Sequence, residues 1–570
     1  MPNHDRTPSA PGPAVRHGGR ILADQLAILG AEKVFCVPGE SFLGLLDGLY
    51  DHRDRIDVVT CRHESGAANM ADAYGKLTGR PGICAVTRGP GATNASNGVH
   101  TAFQDSTPMI LLVGQVSRKM MDREAFQEID YRRMFGEMAK WIAQIDDVAR
   151  IPEYLSRAWH VAMSGRPGPV VLALPEDVLS ARAMVDDARP ASVARGAPES
   201  SAIARLGDML SEARKPLLVL GGPGWSAQAA RLAADVADRF DLPVATTFRC
   251  QDYIDNGHPN YGGVIGIAPV PELARKVREE VDLLITVGSR WGEMTTQGYT
   301  LIDSPVPQMR LVHVHPGPEE LGHVYAPDLS IASGAEAFLG AMLDLKVGHR
   351  ADPGWTRGFR ADYEAFLTPT QVPGALNMGE VIRHLSNTLP ADTIYTNGAG
   401  NYAVWLHRFH SHRGYRTQLA PTSGSMGYAV PAAVAAKLVH PDRSVVSVSG
   451  DGCFLMTAQE LATARAQGLA IIYLVVNNGM YGTIRMHQER NHPGRVISTA
   501  LTNPDFVAFA GAFGIPGEVV TETEAFAAAL DRARASDDGY LIELRVDPEA
   551  LTPTQSLSAA RAQGEAEKTG

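Results

Sequence analysis

Short runs of β-branched and apolar residues recur along this chain, separated by alanine-rich stretches of helical character. The clearest are Val58–Thr60 (VVT), Pro169–Pro175 (PVVLALP), Pro216–Gly222 (PLLVLGG), Leu283–Ser289 (LLITVGS), Ser444–Gly450 (SVVSVSG) and Ile471–Asn478 (IIYLVVNN). They are continuous rather than alternating. A strand apolar on both faces must be covered on both, so the pattern predicts parallel sheets sandwiched by helices, an α/β architecture. The chain has 570 residues, and a single core stops growing near roughly 250–300 residues. Two breaks, Ala188–Pro198 (ARPASVARGAP) and Val347–Pro353 (VGHRADP), divide it into three doubly wound parallel-sheet domains near residues 16–185, 200–345 and 365–550. The Pro- and Gly-rich start reads as a flexible leader, and the polar residues after about Pro553 as a mobile tail.

Composition excludes several classes. The net charge of −11 is opposite to the basic footprint of a nucleic-acid binder. No run of about 18 apolar residues offers a membrane span, and the N-terminus has no apolar signal-peptide core. The five cysteines are scattered without a CxxC pair, which supports neither a disulfide frame nor a zinc site and points to a reducing, cytoplasmic setting.

The first and last domains share a pattern. In the first, ICAVT meets Gly89-Pro90-Gly91, then a helix, then MILLVG ending at Gly114-Gln115. In the last, VVSVS meets Gly450-Asp451-Gly452, then a helix, then IIYLVV ending at Asn477-Asn478. This reads as a distant internal duplication in which only the second copy keeps oxygen ligands for a hard metal. The glycines around Asp451 let the backbone turn at a strand end and approach a ligand. The following helix aims its amides at that spot, which suits a phosphate. The next parallel strand brings Asn478 beside Asp451, at the strand ends where open α/β sheets bind ligands. An Asp carboxylate and an Asn carbonyl, completed by phosphate and water, suit Mg²⁺.

GDG followed by a spacer of this length and NN resembles the signature of thiamine-diphosphate enzymes, and over nearly the whole chain the likeness is to the acetolactate synthase group, with pyruvate oxidase, benzoylformate decarboxylase and pyruvate decarboxylase relatives. The resemblance implies pyrimidine-binding, central and diphosphate-binding domains in that order. It also implies active sites between subunits, in a homodimer or homotetramer. Glu64, in TCRHESGAANMADAYGKLTG, matches the Glu that hydrogen-bonds the cofactor pyrimidine and promotes deprotonation of the thiazolium carbon; physically this is a carboxyl keeping a proton in a desolvated cleft. Ala67, Met70, Ala71 and Tyr74 follow at helical spacing as packing residues. Cofactor contacts are implied at Gly400, Asn401 and Tyr402, at Ser425 and Met426 in TSGSMGYAVPAA, and at Gly450, Asp451, Gly452, Cys453, Asn478 and Met480. Met426 matches the residue that props the bent cofactor, although a Met is also good core filler. Cys453 replaces a Ser. The metal ligands would be Asp451, Asn478 and the Met480 carbonyl. Gln127, in DREAFQE, would reach the site, and Phe126 beside it is either substrate-facing or core.

Three departures from acetolactate synthases bear on the reaction. The early loop is Val37-Pro38-Gly39-Glu40 instead of PGG, so Glu40 either shuttles protons, repels an anionic acceptor, or lies outward in solvent. His487 stands where a Trp shapes the acceptor pocket, as an acid–base group or a polar contact. Arg485 nearby is placed to pair with a substrate carboxylate or phosphate. In the central domain Arg290 matches a flavin-contacting Arg. Trp291-Gly292 and the HVHP run His313–Pro316 replace expected acidic residues, which leaves FAD open but disfavoured, and the GGPG at Gly221–Gly224 is too weak alone to mark a dinucleotide site. The run HRFHSHR, His407–Arg413, reads as a solvated loop or helix end rather than a metal site.

The expected activity is decarboxylation of a 2-oxo acid with transfer of the acyl unit to a second carbonyl, a carboligation of acetolactate synthase type, on a small-molecule substrate. Simple decarboxylation or 2-hydroxy ketone cleavage is the alternative. A redox member would need FAD. A catalytically silent scaffold would have lost Glu64, Asp451 or Asn478, and all three are present.

Overall fold

The computed structural model describes residues 14–348 and 351–569. The expected leader lies largely outside the described residues, as do two residues of the break at Val347–Pro353. Three six-stranded sheets, each wholly parallel, follow one another along the chain. With strands numbered within each domain, the first and last sheets both run 2-1-3-4-6-5 and the central sheet runs 3-2-1-4-5-6. The shared order of the outer sheets is what an internal duplication produces. The first domain closes on itself where Arg16–His17 pairs antiparallel with Arg182–Ala183.

The two copies correspond at their turns. Pro90 is the first residue of the helix Pro90–Asp105, and Asp451 the first of Asp451–Phe454. The second copy does not continue as one helix. It breaks into a four-residue turn of helix, a 3₁₀ turn at Ala458–Glu460 and the helix Leu461–Ala466. The break has a cause: Thr457 Oγ1 donates to the Gly427 carbonyl at 2.6 Å, and the Glu460 carboxylate turns away to accept from the amides of Arg62 and His63.

The helix Glu64–Thr78 is capped by His63, whose ring accepts from Ser65 N, and stops at Gly79 in the left-handed region. Its Ala67, Met70, Ala71 and Tyr74 are buried, as expected. It lies against Ala429–Val439, another alanine-rich helix, and this contact fuses the first and last domains into one core. A buried network, Lys76 with Asp72 and Asp105 and the Tyr428 hydroxyl with Asp72, reinforces the join.

The helix Trp355–Phe366 packs Trp355, Phe359 and Tyr363 into the core of the central sheet. Two expectations need correction. The tail is not loose: Leu557–Thr569 is a helix seated on Gly482–Asn491. Arg561 grips the buried Glu489 there, and Gly564 passes so near that a Cβ would stand 2.1 Å from the Arg490 carbonyl. Finally, the histidine run is buried between the central and last domains. His412 and Asn256 exchange two hydrogen bonds, Gln251 Nε2 donates to the His407 carbonyl, and the His410 ring lies 4.0 Å from that of Tyr395. All five cysteines are buried and free, and no described helix is long and apolar enough to cross a membrane.

Candidate active site

The sheet edges gather the singled-out residues into two groups. On the first domain Glu64 begins its helix just beyond the strand Asp57–Thr60. Asn94 Nδ2 donates to its Oε2 at 3.0 Å. Glu64 is half-buried, so a single chain does not enclose it. Arg88, buried at the end of the strand Gly82–Val86, organises the neighbourhood: it donates to Glu40 Oε1 at 3.2 Å, to the Phe126 carbonyl at 3.1 Å and to Glu176. Glu40 is therefore both exposed and tethered. Gln127 adopts a left-handed backbone (φ 65°) and packs against Gly89, where a Cβ would come within 2.8 Å of the Gln127 Cβ. Phe126 is 70% exposed, which removes the core reading for this ring.

On the last domain Asp451 is buried at the end of the strand Val445–Gly450. Its carboxylate accepts from Gly452 N at 2.9 Å, Gly479 N at 2.9 Å and Asn503 Nδ2 at 2.8 Å. All three donors are neutral. Among the described residues no Lys or Arg pairs with it, and burial raises its proton affinity against the pull of those donors. A desolvated carboxylate without a counter-charge suits a cation. Asn478 Oδ1 stands alongside, accepting from Met480 N at 3.2 Å. Carboxylate, amide oxygen and main-chain carbonyl are the hard oxygen donors Mg²⁺ takes, so the residues fit that metal.

The surrounding glycines have a packing role that the sequence does not reveal. A Cβ on Gly450 would stand 2.9 Å from the Tyr402 ring, and one on Gly452 would stand 2.5 Å from that of Tyr481. Tyr402 is buried, and its hydroxyl meets Cys453 Sγ at 3.2 Å and accepts from Gly398 N. Cys453 Sγ also accepts from Gly427 N, so this thiol is engaged within the fold. Asn401 is tied to Thr483 through both its amide nitrogen and its side chain. Gly400 has φ 149°, a backbone conformation that favours glycine, while Met426 is half-buried beside exposed Gly424 and half-buried Ser425. His487 is exposed on Gly482–Asn491, and Arg485 pairs with Glu489 at 3.1 Å. Among the described residues no hydrogen bond or ion pair joins Glu64, Glu40 or Gln127 to Asp451, Asn478 or Met480.

Three family models match in order: "Thiamine pyrophosphate enzyme, N-terminal TPP binding domain" over residues 16–134, the central domain over 203–342 and the C-terminal TPP binding domain over 398–544. The acetolactate synthase large subunit of Parasynechococcus marenigrum is 32% identical, over 94% of this chain and 88% of its own. That of Corynebacterium glutamicum is 32% identical over 91% and 85%, and the acetolactate synthase isozyme 2 large subunit of Escherichia coli is 30% identical over 93% and 96%. The chain belongs to the thiamine-diphosphate enzymes, in the acetolactate synthase-like group. It therefore binds thiamine diphosphate, and the first and last domains, which carry the two sheet edges, are the ones matched as TPP binding domains.

A wide cleft in this thiamine-diphosphate enzyme lies elsewhere. It measures about 1320 Å³, lies between all three domains and is lined by Gly222–Trp225, Arg249, Arg290 and the segments at Gly400–Asn401 and Ser423–Gly424. Neither Glu64 nor Asp451 lines it. Of the residues that bear on a flavin, Arg290 reaches across to the Gln104 carbonyl. His313 and His315 turn into the core, bonded to the carbonyls of Ser289 and Gly317. The volume would admit a flavin nucleotide. Asn94, Arg88 and Asn503 were not singled out from sequence; each acts through a contact at a separation that no local motif encodes.

Proposed function

We propose that this enzyme decarboxylates a 2-oxo acid and transfers the acyl unit to a second carbonyl, with thiamine diphosphate held through Mg²⁺. The observation that carries the reading is the division of labour between the two edges: a half-exposed carboxyl, Glu64, steadied by Asn94 on one, and a buried carboxylate without a cation, Asp451, on the other. The relatives' name, acetolactate synthase, supports ligation as the outcome.

Bound thiamine diphosphate supplies a sink for the electrons released when CO₂ leaves. Glu64 holds and moves the proton at the pyrimidine edge, and Asn94 fixes its Oε2 for that exchange. Asp451, Asn478 and the Met480 carbonyl hold Mg²⁺, and Gly400, Asn401 and the Ser425–Met426 segment seat the cofactor. Gln127 orients the substrate carbonyl, and Glu40 and His487 govern whether a proton or a second carbonyl meets the bound fragment. A homodimer or homotetramer completes each site: a second copy would cover both edges, where Phe126, Ile484 and Ile497 are exposed.

One observation favours a second reading. The Glu40 carboxylate, kept at the loop by Arg88, repels an anionic acceptor, which favours protonation and hence simple decarboxylation or 2-hydroxy ketone cleavage. The deciding experiment incubates wild type and Glu64→Gln with thiamine diphosphate, Mg²⁺ and pyruvate while CO₂ and acetolactate are measured. Cofactor binding in both proteins, with CO₂ and acetolactate only in wild type, supports ligation. CO₂ with acetaldehyde selects the second reading, and CO₂ release by Glu64→Gln at the wild-type rate overturns the role of Glu64.

A further inference from the structure

Arg249 is a buried cation held by main-chain carbonyls instead of a carboxylate. It is 8% exposed, sits in the left-handed region (φ 63°) just after the central-domain strand Val244–Thr247, and forms no ion pair among the described residues. Instead its guanidinium donates to two main-chain carbonyls of the last domain, Gly398 at 2.8 Å and Pro421, while Nε finds no partner. Burial lowers its pKa to about 10, so it remains charged at neutral pH. A buried charge without an ion pair is costly; Asp105 offsets part of that cost from a distance, and although Arg249 also borders the cleft between the domains, its direct hydrogen bonds go to those two carbonyls.

Their positions explain why they matter. Gly398 leads from the strand Ile394–Asn397 into Gly400–Tyr402, and Pro421 leads from Gln418–Leu419 into Thr422–Met426. These are the two segments that would seat the cofactor. They converge at Gly398, where a Cβ would stand 2.6 Å from Cys453 Sγ and 3.4 Å from the Ser425 carbonyl. A planar fork with fixed donor spacing sets the separation of two acceptors, which a single ammonium cannot do. The second segment is held on its other side by Asp105, which accepts from the amides of Thr422 and Ser423.

We propose that Arg249 is a positioning residue of the cofactor site: from the central domain it sets the spacing of the Gly398–Tyr402 and Pro421–Met426 segments, and so the affinity for thiamine diphosphate. The inference rests on the cofactor reading above. The test is equilibrium dialysis of thiamine diphosphate with Mg²⁺ against full-length wild type, Arg249→Met, Arg249→Lys and Gln251→Ala, with a thermal midpoint for each. Gln251 is the control, because it joins the same domains through Gln418 and the His407 carbonyl without touching either cofactor segment. The expected result is a Kd raised at least about tenfold in Arg249→Met, the loss of a charge-assisted hydrogen bond or more, with Gln251→Ala within about twofold of wild type although less stable. Arg249→Lys falls between, and serves in place of Arg249→Met if that protein does not fold. Wild-type affinity in Arg249→Met, or equal losses in Arg249→Met and Gln251→Ala, overturns the proposal. Failure of wild type itself to bind overturns the cofactor reading beneath it, a result distinct from either.

Discussion

Asn503 Nδ2 donates to Asp451 Oδ2 at 2.8 Å, across 52 residues of sequence, and the same nitrogen reaches Asn477 Oδ1 at 3.0 Å. It therefore aims the carboxylate that would bind the metal without being a ligand. Removal of such an outer partner costs about ten- to a hundredfold in metal affinity. Asn503→Ala is expected to weaken Mg²⁺-dependent cofactor binding by that factor, in a fluorescence titration with Mg²⁺ at fixed thiamine diphosphate. An unchanged titration would show that Gly452 N and Gly479 N orient Asp451 unaided.

Asp451 itself separates binding from stability. Asp451→Asn removes a buried charge that lacks a counter-ion, but turns an NH₂ toward one of the backbone donors. These effects offset, so the unfolding free energy without metal should stay within about 1 kcal/mol of wild type. Mg²⁺-dependent cofactor binding should fall by at least about a hundredfold, more than for an outer partner. Urea melts and dialysis on one preparation check both, and a large loss of stability would make Asp451 a structural residue first.

Glu489 anchors the C-terminal helix. The Arg561 guanidinium, helped by Gly494 N and Arg485 and opposed by burial, holds its carboxyl down to about 2 from an ordinary 4.5. A depressed acid stabilises the fold above its unfolded pKa and ceases to do so as pH falls through the folded one. The contribution should thus be complete above about pH 4.5 and vanish toward pH 2; because Arg561 is half-exposed, it is about 1–2 kcal/mol. Hydrogen exchange in residues 557–569 should speed up in Glu489→Gln at pH 7, and the gap to wild type should close below pH 4.5. A gap independent of pH would assign the docking to Leu557 and Ala560 alone.

How far the sequence reached follows from the range of the forces. The strands were legible because a doubly covered strand is continuously apolar, and Asp451 and Asn478 because both end adjacent strands of one sheet. The C-terminal helix was not, because it buries little apolar surface and is fixed by Glu489 and Arg490, which lie far back in the chain. The glycines of GDG read as room for a ligand, whereas their nearest neighbours are the rings of Tyr402 and Tyr481, contacts that only the folded strand ends create. The two cofactor edges were each visible as motifs, but the Arg249 fork that holds the second one together comes from another domain and carries no motif at all.

The buried histidines illustrate the same limit and give the last prediction. A polar run such as HRFHSHR reads as solvated, but Gln251, Asn256 and Phe248 of the central domain cover it. Burial pushes His407 and His410 down to about 3 and His412 well below its ordinary value, with Arg249 adding to the effect on His407. Unfolded, each takes a proton near its ordinary value of 6.5; folded, each stays neutral. Stability is therefore full above pH 6.5 and falls as pH drops toward 3, by up to about 2 kcal/mol per ring at pH 5. His410→Phe keeps an aromatic ring against Tyr395 and removes one such group. Urea melts between pH 7 and 5 should show a slope of stability against pH smaller by up to about one proton in the variant than in wild type. An identical slope would mean that His410 is protonated in the folded protein, which would require an acid or a water at the ring nitrogen Nδ1, left without a partner among the described residues.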